Sequence, residues 1–179
     1  MIYLDHNATT PLLPQVKETL KELFGEEYGN PSSPYHTGRR ARDLLEESRH
    51  RLAKLLGAKP SELIFTSGGS EGNNMVLRQL LFREDPGHLL VSSVEHPSVL
   101  ETAKWLTRKN NLRLGILPVD QSGKVPVASM EAAVQPETCF ISVMAANNET
   151  GTVQPFRELA GIARELQVPF HSDCVQYAG

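Results

Sequence analysis

The chain has 179 residues, 40% of them hydrophobic and 22% charged, with a formal net charge of −3. That size predicts one domain or two, with apolar content typical of a globular core. The slight acidic excess gives no electrostatic basis for binding nucleic acid or an anionic membrane, and the apolar runs fall far short of the roughly 20 residues of a membrane span. Two cysteines, Cys139 and Cys174, with no basic-then-apolar secretory opening, predict reduced thiols and a cytoplasmic setting.

The opening MIYLDHNATTPLLP passes from a brief apolar start to turn residues. Val16, Leu20, Leu23 and Phe24 recur at helical spacing and predict a helix over Gln15–Phe24. GEEYGNPSSPYH reads as a loop. A longer helix is predicted over Gly38–Leu56, with arginine and glutamate outside, leucine inside and Gly57 closing it. From there the pattern alternates. Strands are predicted at Glu62–Thr66, His88–Val94, Arg113–Pro118, Thr138–Ala145 and Val168–Ser172. Helices are predicted at Ser70–Phe82, Pro97–Lys109, Ala128–Val134 and Pro155–Leu166. Repeated strand-then-helix order predicts an α/β fold with a mostly parallel sheet flanked by helices. No repeat, low-complexity run or linker divides the chain.

Ligands of open α/β sheets bind outside the carboxyl ends of the strands. Four predicted strands end in polar stretches: TSGGSEGNN, EHPS, ANNETG and HSDCVQ. In the first, Gly68 and Gly69 allow a tight turn, and Ser70 stands at a helix N-terminus suited to a phosphate. The same residues also fit a plain helix cap by Ser70 with Asn73 in the first turn. Asp173 follows a strand of buried character, where a carboxylate wants a cationic partner such as a protonated ring nitrogen; a loop cap is the other reading. Gln176 and Asn148 can hydrogen-bond a ligand oxygen, and Asn148 also fits turn geometry. His96 can stack on a planar cofactor or exchange a proton, or it can simply begin a helix. No metal site is expected.

These stretches resemble the N-terminal half of the pyridoxal-phosphate-dependent cysteine desulfurases, in the class-V aminotransferase group. The matching segments are YLDHNATTPL, GNPSSPYHTGRRAR, LIFTSGGSEGNN, SSVEHPSVL, ANNETGTVQP and HSDCVQYAG, in family order across the whole sequence. The resemblance implies an aminotransferase-like fold (fold type I of the pyridoxal phosphate enzymes). It implies an N-terminal segment, 1–14, that contributes to the site, and a large domain, 15–179, incomplete at its C-terminus. It implies pyridoxal 5'-phosphate as cofactor. Gly69 and Ser70 would hold its phosphate, although the family usually has Ala-Thr there. His96 would stack on the ring and serve catalysis, Asn148 and Gln176 would reach the phenolic oxygen, and Asp173 would pair with the ring nitrogen. Ala8 and Thr9 would lie near the substrate.

The expected activity is release of sulfur from L-cysteine, giving alanine and a persulfide for iron–sulfur cluster assembly or other sulfur transfer. The expected partners are a sulfur-acceptor scaffold, a second copy in a homodimer and a complementary C-terminal half. The family's cofactor-anchoring lysine and persulfide-forming cysteine have no counterpart in the sequence, so this chain alone is expected to be inactive. Cys174 is expected to be a small buried filler, and Cys139, in the apolar stretch TCFISVM, to be buried and not to replace the missing cysteine. A selenocysteine lyase portion, or a non-catalytic fragment that binds the cofactor or a partner, is the alternative.

Overall fold

The computed structural model describes residues 2–26 and 28–178. The chain divides into two compact units, Met1–Phe65 and Thr66–Gly179.

The first unit holds helix α1 (Pro14–Glu26), helix α2 (His36–Leu56) and a 3-10 turn at Pro60–Glu62. Gly57 ends α2 as the sequence predicts, in the left-handed region, with its N–H donating back to the Ala53 and Lys54 carbonyls. The expected burial of the leucine face is not found. Within α2 only Gly38 and Ala53 are buried, while Leu55 and Leu56 are 83% and 60% exposed. A unit of this size exposes much of the surface that a larger core would cover. The predicted strand over Glu62–Thr66 is also absent. A strand exists only with a ladder partner, and none pairs with this stretch among the described residues. Leu63 has extended backbone, and its carbonyl accepts from Arg49 Nη1 at 2.7 Å.

The second unit is a three-layer α/β structure. Strands β1 (Gly87–Ser92), β2 (Leu112–Leu117), β3 (Thr138–Ser142) and β4 (Phe170–His171) form a parallel sheet in the order β2-β1-β3-β4. Helix α3 (Gly69–Arg78) precedes the sheet, and α4 (Pro97–Lys109), α5 (Val127–Ala133) and α6 (Phe156–Glu165) connect its strands. The two-residue period of β1 sorts the core. Leu89 and Val91 pack with Leu77 of α3 and Val99, Ala103 and Leu106 of α4 on one face. Leu90 packs with Met130 of α5 and Leu159 and Ala163 of α6 on the other.

The chain leaves β1 for β2 on one side, then returns to place β3 on the other. The carboxyl ends of β1 and β3 therefore flank a topological switch point, the usual crevice for ligands in such sheets. β4 is shorter than predicted because it sits at the sheet edge with one neighbour. Its main-chain bonding nevertheless continues, with Val143 N–H donating to His171 O (3.1 Å) and Ala145 N–H to Asp173 O (2.8 Å).

Candidate active site

Asp173 is fixed by that last bond at the carboxyl edge of the sheet. It is 8% exposed. Its Oδ1 accepts from Val175 N–H at 3.0 Å and its Oδ2 from Asn73 Nδ2 at 2.8 Å. Asn73 lies in the first half of α3, itself buried, and its amide also donates to Ser98 Oγ at 2.9 Å. Ser98 Oγ in turn lies 2.8 Å from His96 Nδ1, which also accepts from Ser98 N–H at 3.1 Å. Accepting that N–H leaves Nδ1 unprotonated and places the ring hydrogen on Nε2. One continuous chain, His96–Ser98–Asn73–Asp173, thus joins the start of α4, the first half of α3 and the end of β4.

His96 caps α4, as the helix-start reading expects, and its half-buried ring belongs to the network. Asn73, which the sequence reading placed only in a helix turn, is the link between His96 and Asp173. Its signal was its position, one helical turn beyond Gly69 and therefore on the same end of α3. Ser98 gave no signal beyond following a proline at a helix start.

Gly69 and Ser70 form the first two residues of α3, so Gly68 rather than Ser70 occupies the cap position. A Cβ on Gly69 would come within 2.6 Å of Val175 Cγ2, so a larger residue there would make the exposed Val175 side chain shift. That contact sets the N-terminus of α3 against the loop carrying Asp173. Glu71 closes the preceding turn by accepting from Ser67 N–H and Oγ, both at 2.6 Å, and these bonds hold its carboxyl below the usual range.

The ANNETG segment forms a tight turn organised by Asn147, not Asn148. Asn147 Oδ1 accepts from Glu149 N, Thr150 N and Thr150 Oγ, and its amide donates to Val94 O at 3.0 Å. Asn148 is half-buried, and its amide donates to Glu149 Oε1 at 3.1 Å. Gln176 is exposed, in the turn over which Tyr177 N–H and Ala178 N–H return to Cys174 O. Ala8 and Thr9 belong to the first unit, where their N–H groups donate to Asp5 O in an exposed turn. The two cysteines are half-buried and free rather than fully buried, with Cys139 Sγ donating to His88 O at 3.5 Å. Both sit where packing is incomplete, at a strand start and in a surface turn. Among the described residues, no group of three or more His, Cys, Asp or Glu side chains could hold a metal ion.

A profile of the class-V aminotransferases matches residues 2–179. The chain belongs to the class-V aminotransferase family. It is 44% identical over 180 residues to the cysteine desulfurase IscS of Dictyoglomus turgidum, covering 99% of this chain and 45% of that one. A solved NifS-like protein shares 36% identity with a TM-score of 0.93, over 98% of this chain and 49% of that one. The solved complex of SspA with cysteine shares 36% identity with a TM-score of 0.90, over 95% and 49%. The chain thus spans about half the length of these relatives, matching the N-terminal half that the resemblance implied, and its fold is that of fold type I.

The family, cysteine desulfurases included, depends on pyridoxal 5'-phosphate. The residues present fit that group. Asp173 is a buried carboxylate with two N–H donors, and among the described residues no cation pairs with it. A protonated ring nitrogen is the partner such a carboxylate lacks. Ser172 Oγ, next to it, is a buried hydroxyl without a hydrogen-bond partner.

Proposed function

We propose that this chain is the cofactor-binding part of a pyridoxal-phosphate-dependent cysteine desulfurase. Its substrate is L-cysteine, and its products are alanine and sulfur for iron–sulfur cluster assembly or other sulfur transfer. The observation that carries the reading is the buried Asp173 carboxylate, with no cation paired to it among the described residues, joined through Asn73 and Ser98 to the His96 ring. The names and half-length matches of the relatives support it.

The cofactor, when bound, supplies an electron sink for the charge left when a proton leaves the substrate carbon. Asp173 would accept a hydrogen bond from a protonated ring nitrogen and favour its charged form. His96, anchored by Nδ1, offers its ring for stacking and its Nε2 hydrogen for proton exchange. The first N–H groups of α3, with the Ser70 hydroxyl, would hold the phosphate at the positive end of the helix. Asn148 and Gln176 are assigned to the phenolic oxygen. The working protein is a cytoplasmic homodimer that passes sulfur to a scaffold protein.

The test is a chimera in which this chain replaces the matched segment of the D. turgidum relative. The chimera is expected to bind pyridoxal 5'-phosphate and to form alanine from L-cysteine, and Asp173→Ala in the chimera to abolish both. A folded chimera that binds no cofactor would refute the reading.

A further inference from the structure

A second buried polar set adjoins the first, and the chemistry above makes no use of it. Glu95 is 6% exposed, and Ser92 and Ser142 are fully buried. Glu95 Oε1 accepts from Ser92 Oγ at 2.8 Å and from Met144 N–H at 2.7 Å, while Oε2 lies 3.5 Å from Ser142 Oγ. Ser142 Oγ lies 2.9 Å from His171 Nδ1. One carboxyl group therefore ties the end of β1 to the end of β3, and one serine extends the tie to β4.

Both branches end at the proposed cofactor partners. Met144 precedes Ala145, whose N–H donates to Asp173 O at 2.8 Å. His171 stands two residues before Asp173, and its carbonyl accepts from Val143 N–H at 3.1 Å. Glu95 itself immediately precedes His96. A surface glutamate beside a helix start would need none of these donors. Burying this one costs free energy unless its bonds hold something in place.

We propose that Glu95 is a positioning residue: through Met144, and through the Ser142–His171 pair, it holds Asp173 and His96 in register for the cofactor role assigned above, on which this inference rests, and its proton sets the tautomer of the His171 ring. The placement of hydrogens supports the second part. Ser142 has one hydroxyl hydrogen and two acceptors facing it. When Glu95 carries a proton on Oε2, it donates to Ser142 Oγ, and Ser142 donates to His171 Nδ1, so the ring hydrogen is on Nε2. When Glu95 releases that proton to solvent, the Ser142 hydrogen turns to Oε2. The serine oxygen then accepts from Nδ1, and the ring hydrogen moves from Nε2 to Nδ1 by exchange with water.

Burial favours the protonated form. Desolvation pushes Glu95 up to about 7, against hydrogen bonds from Ser92, Met144 and Ser142 that lower it and Asp173 that raises it further. Burial also pushes His171 down, opposed by Asp173, which favours the neutral ring. The titratable groups around Glu95 are Asp173 and His171 from the β4 end and its chain neighbour His96; no cation contributes to its shift. A neutral Glu95 leaves Asp173 without a second buried anion beside it.

The experiment is a pH titration of the full chain, labelled with ¹⁵N in its histidine rings and free of cofactor. In the wild type the His171 ring is expected to change tautomer with a midpoint at about 7, following Glu95. In Glu95→Gln the side-chain amide donates to Ser142 at every pH, so the ring is expected to keep its hydrogen on Nε2 throughout, with cofactor affinity retained. Glu95→Ala removes the tie and is expected to weaken pyridoxal 5'-phosphate binding about tenfold, or about 1.4 kcal/mol. An ordinary imidazolium titration of His171 in the wild type, with no tautomer change, would overturn the proposal even if neither variant folds. So would identical His171 behaviour in wild type and Glu95→Gln. Because the titration needs no cofactor, its result is separate from whether the chain binds pyridoxal 5'-phosphate.

Discussion

Replacing Asn73 by alanine removes the one side chain that joins His96 to Asp173. Two bonds are lost, to Asp173 Oδ2 at 2.8 Å and to Ser98 Oγ at 2.9 Å. A hydrogen bond to a charged group contributes about 1.5–3 kcal/mol and a neutral one about 1 kcal/mol. Water entering the space left by the amide offsets part of this, so we expect Asn73→Ala to lose about 2–4 kcal/mol of stability. The Asp173 share is isolated by a double-mutant cycle. In Asp173→Asn the acceptor is neutral, and the further cost of removing Asn73 should fall to that of a neutral bond, giving a coupling of about 0.5–2 kcal/mol. Urea unfolding of the four proteins, followed by far-ultraviolet circular dichroism, measures it. Additivity within about 0.5 kcal/mol would refute the claim that the Asn73 amide partners the Asp173 carboxylate.

Three other outcomes follow from the same structure. Glu95 rises from an ordinary 4.5 to about 7 in the folded chain, so between those values the folded state binds more protons than the unfolded state and stability falls as pH rises. Subtracting the Glu95→Gln unfolding curve from the wild-type curve removes the opposing contribution of His171 and should leave a loss of about 3 kcal/mol across that window; a flat difference would contradict the buried carboxyl. Gly115→Ala places a Cβ 2.5 Å from Leu90 Cδ2 and 2.6 Å from His88 Nε2, and should cost about 1–3 kcal/mol in chemical denaturation by overpacking. Leu77→Ala empties a fully buried position between α3 and the sheet and should cost about 2–5 kcal/mol in the same assay.

Much of the second unit was legible because periodicity and punctuation agree there. Pro97 and Lys109 bound α4 as predicted, since a proline opens the helix and Arg108 and Lys109 complement its end. Leu89, Leu90 and Val91 of β1 read as a strand because burial on both faces makes them one continuous apolar run. The failures share a cause. Leu63–Phe65 and the leucines of α2 carry apolar patterns, but a pattern names a face without naming what covers it. Within the site, Asp173 and His96 were visible because a carboxylate after a buried strand and a histidine before a helix are unusual placements. Asn73, Ser98, Glu95 and Ser142 were not visible as site groups. Their roles come from pairings between segments up to 100 positions apart, such as Asn73 with Asp173, which only the strand order β2-β1-β3-β4 creates.

The most direct test of the account is calorimetric titration of the full chain with pyridoxal 5'-phosphate, beside its Asp173→Asn variant. We expect saturable binding to one site in the wild type, weakened at least about tenfold in the variant, a difference of about 1.4 kcal/mol or more. No saturable binding, or equal affinity in both proteins, would contradict the assignment of Asp173 as the partner of the cofactor's ring nitrogen.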